Sequence, residues 1–269
     1  MLRIVGELIN STRSRVGSAL AARDETFIRR LARDQHEAGA DVIDLNAGGS
    51  TDRELEGLLW LIEIVEDELG TDACLGIDTS DPDVMEKAIA ACSAAPMMNS
   101  ISNEPSKLPL IEIAADRGCD VIGLAMGEKG MPKTADDRVA ETAALLEKCT
   151  ARGVDPERLY VDQICMSVAS DTTQGRAALD AVRRVRDELA VKTLVAVSNV
   201  SFGLPGRRLL NRTYLALLVA AGLDGAILDP TDRELMATLC AARALVGVDE
   251  YCMGYIGHHR ASQAREPST

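Results

Sequence analysis

Short apolar runs recur along this chain, and nearly every one ends on an Asp or an Asn. Runs of four to eight apolar residues have the length of buried parallel strands. They predict eight strands at about 2–9, 41–47, 73–79, 96–101, 120–126, 159–164, 192–199 and 225–230. The polar residues that end these runs are Asp44 with Asn46, Asp78, Asn99, Asp162, Asn199 and Asp229.

Amphipathic segments with helix signals lie between the predicted strands. They cover 24–39, 52–70, 81–92, 105–118, 134–153, 172–190, 211–222 and 231–247. Several begin with a capping Asp, Asn or Thr and stop at a Gly, as helices prefer. Asn211 is most simply the cap of the helix at 211–222.

Strand and helix alternate eight times, which predicts an α/β fold of the (β/α)8 TIM barrel type. A doubly wound sheet is the alternative, but the chain has neither G-x-G-x-x-G nor a phosphate loop. No linker divides the chain. We therefore expect a single barrel domain over 1–256 and a disordered tail over 257–269.

In such a barrel the residues that end the strands face one common mouth. Carboxylates and amides dominate this set, whose members are Glu7, Asn10, Asp44, Asn46, Asp78, Asn99, Asp162, Ser198, Asn199 and Asp229. It contains no nucleophile beside a base and no His. Such a mouth suits either a hard cation or a heterocycle with several N–H groups. One carboxylate accepts two parallel N–H bonds from an amidine-like edge, which a pterin ring presents.

Charge and composition narrow the function. The net charge of −13 repels nucleic acid and anionic membranes, and only 3% of the residues are aromatic. The start of the chain shows no signal peptide and no apolar stretch is long enough to span a bilayer, so we expect a cytoplasmic protein. The seven cysteines stand singly and the three histidines form no cluster, which argues against disulfides and zinc. We expect most of the cysteines to be buried.

Seven segments, in order along the chain, carry a resemblance to a known family. They are GELIN, AGADVIDLNAG, CLGIDT, MMNSIS, VIGLAMGEKGMPK, LYVDQ and VSNVSFG, the last followed by RRLLNRTYLA. From Ile4 to about Tyr251 the chain resembles the pterin-binding methyltransferases, which pass a methyl group between tetrahydrofolate and a corrinoid protein. It is similar to the corrinoid iron-sulfur protein methyltransferases and to the tetrahydrofolate methyltransferase components of methylamine, glycine betaine and O-demethylase systems. The family fold is a (β/α)8 barrel.

The resemblance assigns roles to individual residues. Asp78, Asn99 and Asp162 would hold the pterin ring, and Asn199 would be the mobile catalytic Asn that reaches N5. Arg207 would lie near the p-aminobenzoate end of the folate. The remaining expected binding residues at the mouth are Ser198, Asn10, Asp44 and Asn46. The family usually has Pro after the strand-six Asp, whereas this chain has Gln163, so a displaced Asp162 carboxylate is one expected consequence.

The resemblance also implies the reaction. Cobalt(I) held by a corrinoid partner protein is a strong nucleophile, so the enzyme needs none of its own and no tightly bound metal. Its task is to place the methyl group on N5 opposite cobalt and to favour charge on N5. The departures at Gln163 and at 202–205 favour the demethylating direction, from methylcorrinoid to tetrahydrofolate. Transfer from methyltetrahydrofolate to a corrinoid iron-sulfur protein is the alternative, and a homodimer is expected by likeness.

Several other interpretations remain open. Dihydropteroate synthase shares the barrel, but its pyrophosphate-holding residues are missing here. A metal-dependent barrel enzyme would need carboxylates, usually with a His, that converge on a cation. A folate- or corrinoid-binding subunit without transfer activity is a third possibility. Asp229 could simply form a turn, and Asp44 could brace Asn46 or a backbone amide. Lys129 and Lys133 could meet the partner or the folate glutamate, or form a solvated loop.

Overall fold

The strands close into a barrel. A computed structural model describes residues 2–49 and 53–264. Within these residues, eight parallel strands pair in chain order and β8 pairs with β1. Their bounds are β1 Arg3–Asn10, β2 Val42–Asn46, β3 Leu75–Asp78, β4 Met97–Ile101, β5 Asp120–Leu124, β6 Leu159–Asp162, β7 Lys192–Ala196 and β8 Gly225–Leu228. The predicted fold class is confirmed.

Helices surround the barrel, and one of the helices α2 to α9 follows each strand in turn. In the described part of the chain they are α1 Ser14–Ala22, α2 Glu25–Glu37, α3 Glu54–Leu69, α4 Pro82–Ala91, α5 Leu108–Arg117, α6 Ala135–Ala151, α7 Gln174–Leu189, α8 Arg207–Ala221, α9 Arg233–Leu245 and α10 Met253–Ala264. Several predicted caps are present. Asp24 accepts a hydrogen bond from the Phe27 N–H, and Thr134 forms a capping box with Asp137.

Three elements differ from the sequence-based prediction. Helix α1 lies in the loop after β1 and buries only Val16 and Ala19, so its apolar face is too narrow to show as a pattern. Helix α10 makes residues 257–264 helical, where a disordered tail was expected. Residues 265–269 lie outside the described part of the chain. Helix α8 begins at Arg207, four residues before the predicted cap Asn211, which therefore lies inside the helix.

Alternate residues of each strand face the barrel axis, and these inward positions change from apolar to polar along the strands. A separate inner cluster fills the middle of the barrel with Val5, Val42, Met97, Ile122, Tyr160 and Leu194. Two residues further along their strands lie Glu7, Asp44, Asn99 and Asp162. The polar mouth therefore stands directly on an apolar floor.

Gly76 on β3 makes room for one of these polar side chains. A Cβ atom at this position would lie 2.6 Å from Oδ1 of Asp44 on the neighbouring strand. Any larger residue would therefore displace the Asp44 carboxylate. Because Gly76 on β3 has no side chain, the carboxylate of Asp44 on β2 can occupy this space.

The cysteines differ in burial. Cys119, Cys149 and Cys165 are buried, three further cysteines are partly buried and Cys252 is exposed. The expectation that most cysteines are buried is therefore met by only three of the seven. Among the helices of the described residues, none is both long and apolar enough to cross a membrane.

Candidate active site

Four of the predicted site residues form two carboxylate–amide pairs on three adjacent strands. Asn46 at the end of β2 donates from Nδ2 to Oδ2 of Asp78 at 3.0 Å. Asn99 on β4 donates from Nδ2 to Oδ1 of Asp44 at 3.2 Å. The strand register places Asn46 beside Asp78, and Asp78 beside Asn99. The sequence-based expectation that these four residues share one mouth is therefore correct.

The second pair gives Asp44 a definite role. Its side chain is buried, and its carboxylate holds the amide of Asn99 rather than that of Asn46. The amide nitrogen of Asn99 is thereby engaged, so its carbonyl oxygen remains for another donor. Asn46 is held in a similar way, because its Oδ1 accepts from Ser11 Oγ at 2.7 Å. Both amides are oriented before any ligand arrives.

Asp162 lies at the end of β6 and is also buried. One carboxylate oxygen, Oδ1, accepts from the Ile164 N–H at 2.8 Å. The residue between them, Gln163, is buried and its N–H donates to the Leu194 carbonyl at 3.0 Å. With Gln163 at this position, the turn still holds the Asp162 carboxylate through the main chain.

A third group of contacts joins β1 to the segment after β7. Ser198 donates from Oγ to Oε2 of Glu7 at 3.2 Å, and Arg13 forms an ion pair with the same carboxylate at 3.1 Å. Arg207 donates to the Ser198 carbonyl at 2.8 Å and to Ser201 Oγ at 3.0 Å. Arg207 therefore fixes the main chain on which Ser198 and Asn199 lie.

Asn199 itself does not lie on a strand. Strand β7 ends at Ala196, and residues Val197–Ser201 form a short 3-10 turn. Asn199 is exposed on this turn, and its side chain makes no hydrogen bond with any residue of the described ranges 2–49 and 53–264. Of the four predicted site asparagines, it is the one whose side-chain amide has no hydrogen bond to the described residues at either end.

Two polar residues at strand ends bond to their own turns. Asn10 accepts from the Thr12 N–H at 3.0 Å and from the Thr12 hydroxyl at 2.6 Å. Asp229 does the same for Thr231, at 2.9 Å and 2.6 Å. These contacts agree with the turn-forming interpretation of Asp229. Asn10 lies at the mouth, but its side-chain oxygen is already engaged.

Burial weakens the acidity of the mouth carboxyls. Burial raises the pKa of Asp44, and the nearby charge of Asp78 raises it further. Burial also raises the pKa of Asp78, although the hydrogen bond from Asn46 acts in the opposite direction. The pKa of Asp162 rises to about 7, again mainly by burial, and burial raises that of Glu7. These carboxyls therefore titrate closer to neutrality than ordinary ones.

The sequence analysis missed Arg138, a completely buried side chain on α6. It donates to the main-chain carbonyl of Gln163 at 2.6 Å and to that of Ile164 at 2.8 Å. The sequence did contain a signal that Arg138 is unusual, because the helix dipole disfavours a positive charge in the first turn of a helix. It contained no indication of which groups the guanidinium contacts. Asn211 was placed wrongly as a helix cap: its Oδ1 accepts from Ser201 Oγ at 2.6 Å.

The loops that follow β3, β4 and β5 enclose a cavity of about 310 Å³ beside Asp78. Its lining is mostly polar near Asp78, with Thr79, Ser100 and Ser102, and apolar at Leu124 and Met126. This mixture suits a flat ring with polar edges. No group of three or more His, Cys, Asp or Glu in the described ranges is arranged to hold a metal ion.

Comparison with known proteins adds a family and several relatives. Residues 6–243 match the family described as pterin binding enzymes. A methylcorrinoid:tetrahydrofolate methyltransferase from Eubacterium limosum is 32% identical over 259 residues, which cover 94% of each chain. A methionine synthase from Mycobacterium leprae (strain TN) is 26% identical over 245 residues, 83% of this chain but 20% of that protein.

Solved structures show the same fold. The dihydropteroate synthase from Xanthomonas albilineans, in complex with 7,8-dihydropteroate, superposes with a TM-score of 0.69 and is 22% identical. The match covers 91% of this chain and 94% of that one. At this level of identity the likeness concerns the barrel alone.

The buried Asp162 leads to a prediction about stability. Because folding raises its pKa from an ordinary 3.8 to about 7, its contribution is fully present below about pH 4 and declines as the pH rises through 7. Asp162→Asn should therefore increase the free energy of unfolding at pH 8 by roughly 1–4 kcal/mol, and not at pH 4. Urea denaturation at both pH values measures the difference.

Asp171 provides the control for this measurement. It is only partly buried, and hydrogen bonds from Gln174 and Thr173 lower its pKa to about 2. Asp171→Asn should therefore change stability with the opposite sign at pH 8. The account of Asp162 fails if Asp162→Asn is no more stable than the wild type at pH 8.

Proposed function

Because the chain belongs to the family of pterin binding enzymes, we propose that it transfers a methyl group between a corrinoid protein and N5 of tetrahydrofolate. The observation that carries this proposal is the pair of oriented amides beside Asp78, combined with full-length similarity to a methylcorrinoid:tetrahydrofolate methyltransferase. The expected family and fold are confirmed. The roles of individual site residues remain predictions, and the geometry described above supports them.

The paired side chains suit the edge of a pterin. Asn46 occupies Oδ2 of Asp78, so the second carboxylate oxygen faces no donor from the described residues. A pterin offers its 2-amino group and N3–H as adjacent donors to such a carboxylate. The carbonyl of Asn99 is a further acceptor on the next strand. Asp162 on β6 supplies another carboxyl from a different part of the mouth.

Asn199 approaches from the other side of the barrel. Strand β7 lies four strands round the ring from β3, so a ring held at Asp78 has its far edge toward Asn199. An exposed amide without internal partners is free to turn toward N5. It accepts a hydrogen bond from protonated N5 and so favours the charged state in which this amine is a good leaving group.

We propose the demethylating direction, in which the corrinoid partner delivers a methyl group and tetrahydrofolate receives it. The N5 lone pair attacks the methyl carbon, the carbon–cobalt bond breaks with its electron pair on cobalt, and N5 releases its proton. Side chains of this chain hold the pterin and stabilise charge at N5. Cobalt(I) of the corrinoid partner is the leaving group. Full-length similarity to the Eubacterium limosum protein supports this direction. A role in one-carbon metabolism in the cytoplasm follows as part of the proposal.

A transfer assay tests the proposed function directly. Methylcobalamin and tetrahydrofolate are incubated with the protein, and formation of cobalt(I) is followed by absorbance. The reverse reaction starts from cobalt(I) and methyltetrahydrofolate. The proposal predicts transfer that depends on the protein, and it is wrong if neither direction is catalysed.

Asn199→Ala should lower the rate of transfer by roughly 10²-fold, as is usual when one hydrogen-bonding group at a transition state is removed. The expected loss is in kcat, because Asn199 acts on the charge that N5 carries in the transition state. Asn199 is exposed, so the variant should fold normally. Thr213→Ala serves as a control, since its exposed hydroxyl bonds only to the Leu209 carbonyl. An unchanged kcat in Asn199→Ala would rule out this role.

Asp78→Ala should weaken binding of tetrahydrofolate by roughly 10–100-fold, the effect of losing a hydrogen bond to a charged group. Titration calorimetry measures the affinity. Asp78→Asn keeps the shape of the side chain but not its charge. Its affinity for tetrahydrofolate should lie between those of the wild type and Asp78→Ala. A metal-dependent barrel enzyme would respond differently: it would lose activity with chelators, whereas the proposed methyltransferase would keep it.

We also propose a homodimer. The apolar stretch 215–223 is mainly core, because Leu215 and Leu218 are buried. Exposed apolar side chains cluster instead from the end of α9 into α10, and they include Leu245 at 87% and Tyr251 at 84% exposure. A second copy would cover this face. Leu245→Glu should shift sedimentation from dimer to monomer, whereas Thr150→Glu at an exposed position of α6 should not.

A further inference from the structure

We propose that Arg138 is a positioning residue for the Asp162 carboxylate, which it holds through the main chain of residues 163 and 164. The inference rests on the proposed function, because Asp162 is one of the residues expected to contact the pterin. Arg138 lies on α6, behind the strand end, and does not itself reach the mouth. It would act only through the turn that follows β6.

The first observation is the burial of a charge without a carboxylate partner. The Arg138 side chain is 0% exposed, and it forms no ion pair with the described residues. Removing a guanidinium from water is costly unless its donors are satisfied. Burial accordingly lowers the pKa of Arg138. If the position served packing alone, a neutral side chain would fill it without the free-energy cost of removing a charge from water.

The second observation is where its donors go. Nε donates to the Gln163 carbonyl at 2.6 Å, and Nη2 donates to the Ile164 carbonyl at 2.8 Å. Nη1 donates to the Thr134 carbonyl at 3.0 Å, and Nη2 also donates to Oε1 of Gln174 at 2.7 Å. The planar fork thus joins two consecutive carbonyls after Asp162 to the starts of α6 and α7.

The third observation is the conformation of the turn. Ile164 has φ of 42°, in the left-handed region that a β-branched residue seldom adopts. Its N–H donates to Oδ1 of Asp162 at 2.8 Å. The residue that orients the carboxylate is thus itself strained, and its carbonyl is held by Arg138. Without that contact, Ile164 has little reason to keep this conformation.

Arg138 also places a positive charge near Asp162. Burial raises the pKa of Asp162, while the charge of Arg138 and the N–H groups of Ile164 and Ala196 lower it. The other titratable groups around Arg138 are Cys165, Tyr214 and Asp137. Burial raises the pKa of Cys165 and Tyr214, so both are neutral near pH 7. Arg138 is therefore the cation that favours an ionised Asp162.

The test compares Arg138→Met, Arg138→Lys and Tyr214→Phe in the full-length protein. Tyr214 is a control from the same buried region, because its hydroxyl bonds to the Gly175 carbonyl at 3.1 Å and to the Cys165 side chain, and not to the carbonyls of residues 163 and 164. Its substitution should lower thermal stability without affecting Asp162. Two quantities are measured: the titration of Asp162 by carbon-13 NMR of labelled carboxyls, assigned with Asp162→Asn, and the steady-state constants for tetrahydrofolate.

In Arg138→Met, the midpoint of the Asp162 titration should rise by about one pH unit or more. The KM for tetrahydrofolate should rise by roughly 10-fold with kcat changed much less, because a binding group rather than a transition-state group is displaced. Arg138→Lys keeps the charge but loses the fork, so its KM should rise while its titration midpoint moves less. Tyr214→Phe should leave both quantities unchanged.

The inference is overturned if folded Arg138→Met has the Asp162 midpoint and the KM of the wild type, or if Tyr214→Phe shifts both equally. If Arg138→Met does not fold, Arg138→Lys decides the matter: a wild-type KM for tetrahydrofolate overturns the inference. The NMR titration requires no folate. Its result therefore stands even if the wild type transfers no methyl group, which would refute the proposed function separately.

Discussion

Burial of carboxyl groups at the carboxyl ends of parallel strands is the constraint on which the rest of this site depends. Closing eight strands into a ring brings alternate side chains to one axis, and the last inward position of several strands here is acidic. Each carboxylate loses water when it is enclosed. Hydrogen bonds from neighbouring amides, such as Asn46 to Asp78 and Asn99 to Asp44, replace part of that water. The need to satisfy these groups determines how the amides are oriented.

The same enclosure makes the mouth unfavourable for stability near neutral pH. Burial raises the pKa of Asp162 to about 7, so ionising this carboxyl opposes folding. Asp162 is expected to bind ligand near this same pH. Such sites are tolerated when the surrounding scaffold is strong. Here the scaffold is the apolar cluster below the mouth and the larger core between the strands and the helices. Arg138 is a second case in which stability is lost at this site: its buried charge is unfavourable, but its hydrogen bonds hold the strained turn at Ile164.

The two sides of the mouth differ in how their side chains are hydrogen-bonded. On β2 to β4 the polar side chains sit on strands and bond to one another across the ladder. Asn199, by contrast, lies on a short 3-10 turn and has an exposed side chain. In the proposed function, the bonded side would hold the ring in place, and the exposed amide of Asn199 would respond to a change of charge at one atom of that ring. This division matches a reaction whose chemistry occurs at a single nitrogen.

Much of the fold could be predicted because its signals are local. Buried parallel strands are continuously apolar, and helix caps such as Asp24 and Thr134 act within one turn. The prediction was wrong where the signal was weak or absent. Helix α1 buries only Val16 and Ala19, and α10 has no apolar period that would mark it, since its side chains are largely exposed. Asn211 resembled a cap because Asn is favoured there, but α8 extends back to Arg207.

The sequence by itself determined that eight strands would present Asp and Asn at one mouth, because hydrophobic periodicity and strand length are properties of short segments. It could not determine which of those groups meet. Asp44 pairs with Asn99 across 55 positions of the chain, and Arg138 on α6 reaches the carbonyl of Gln163 in the turn after β6. The first contact depends on strand register and the closure of the ring, and the second on how α6 packs behind the end of β6. Only the tertiary structure decided them, since the energy of a buried polar group depends on the partners that folding places beside it.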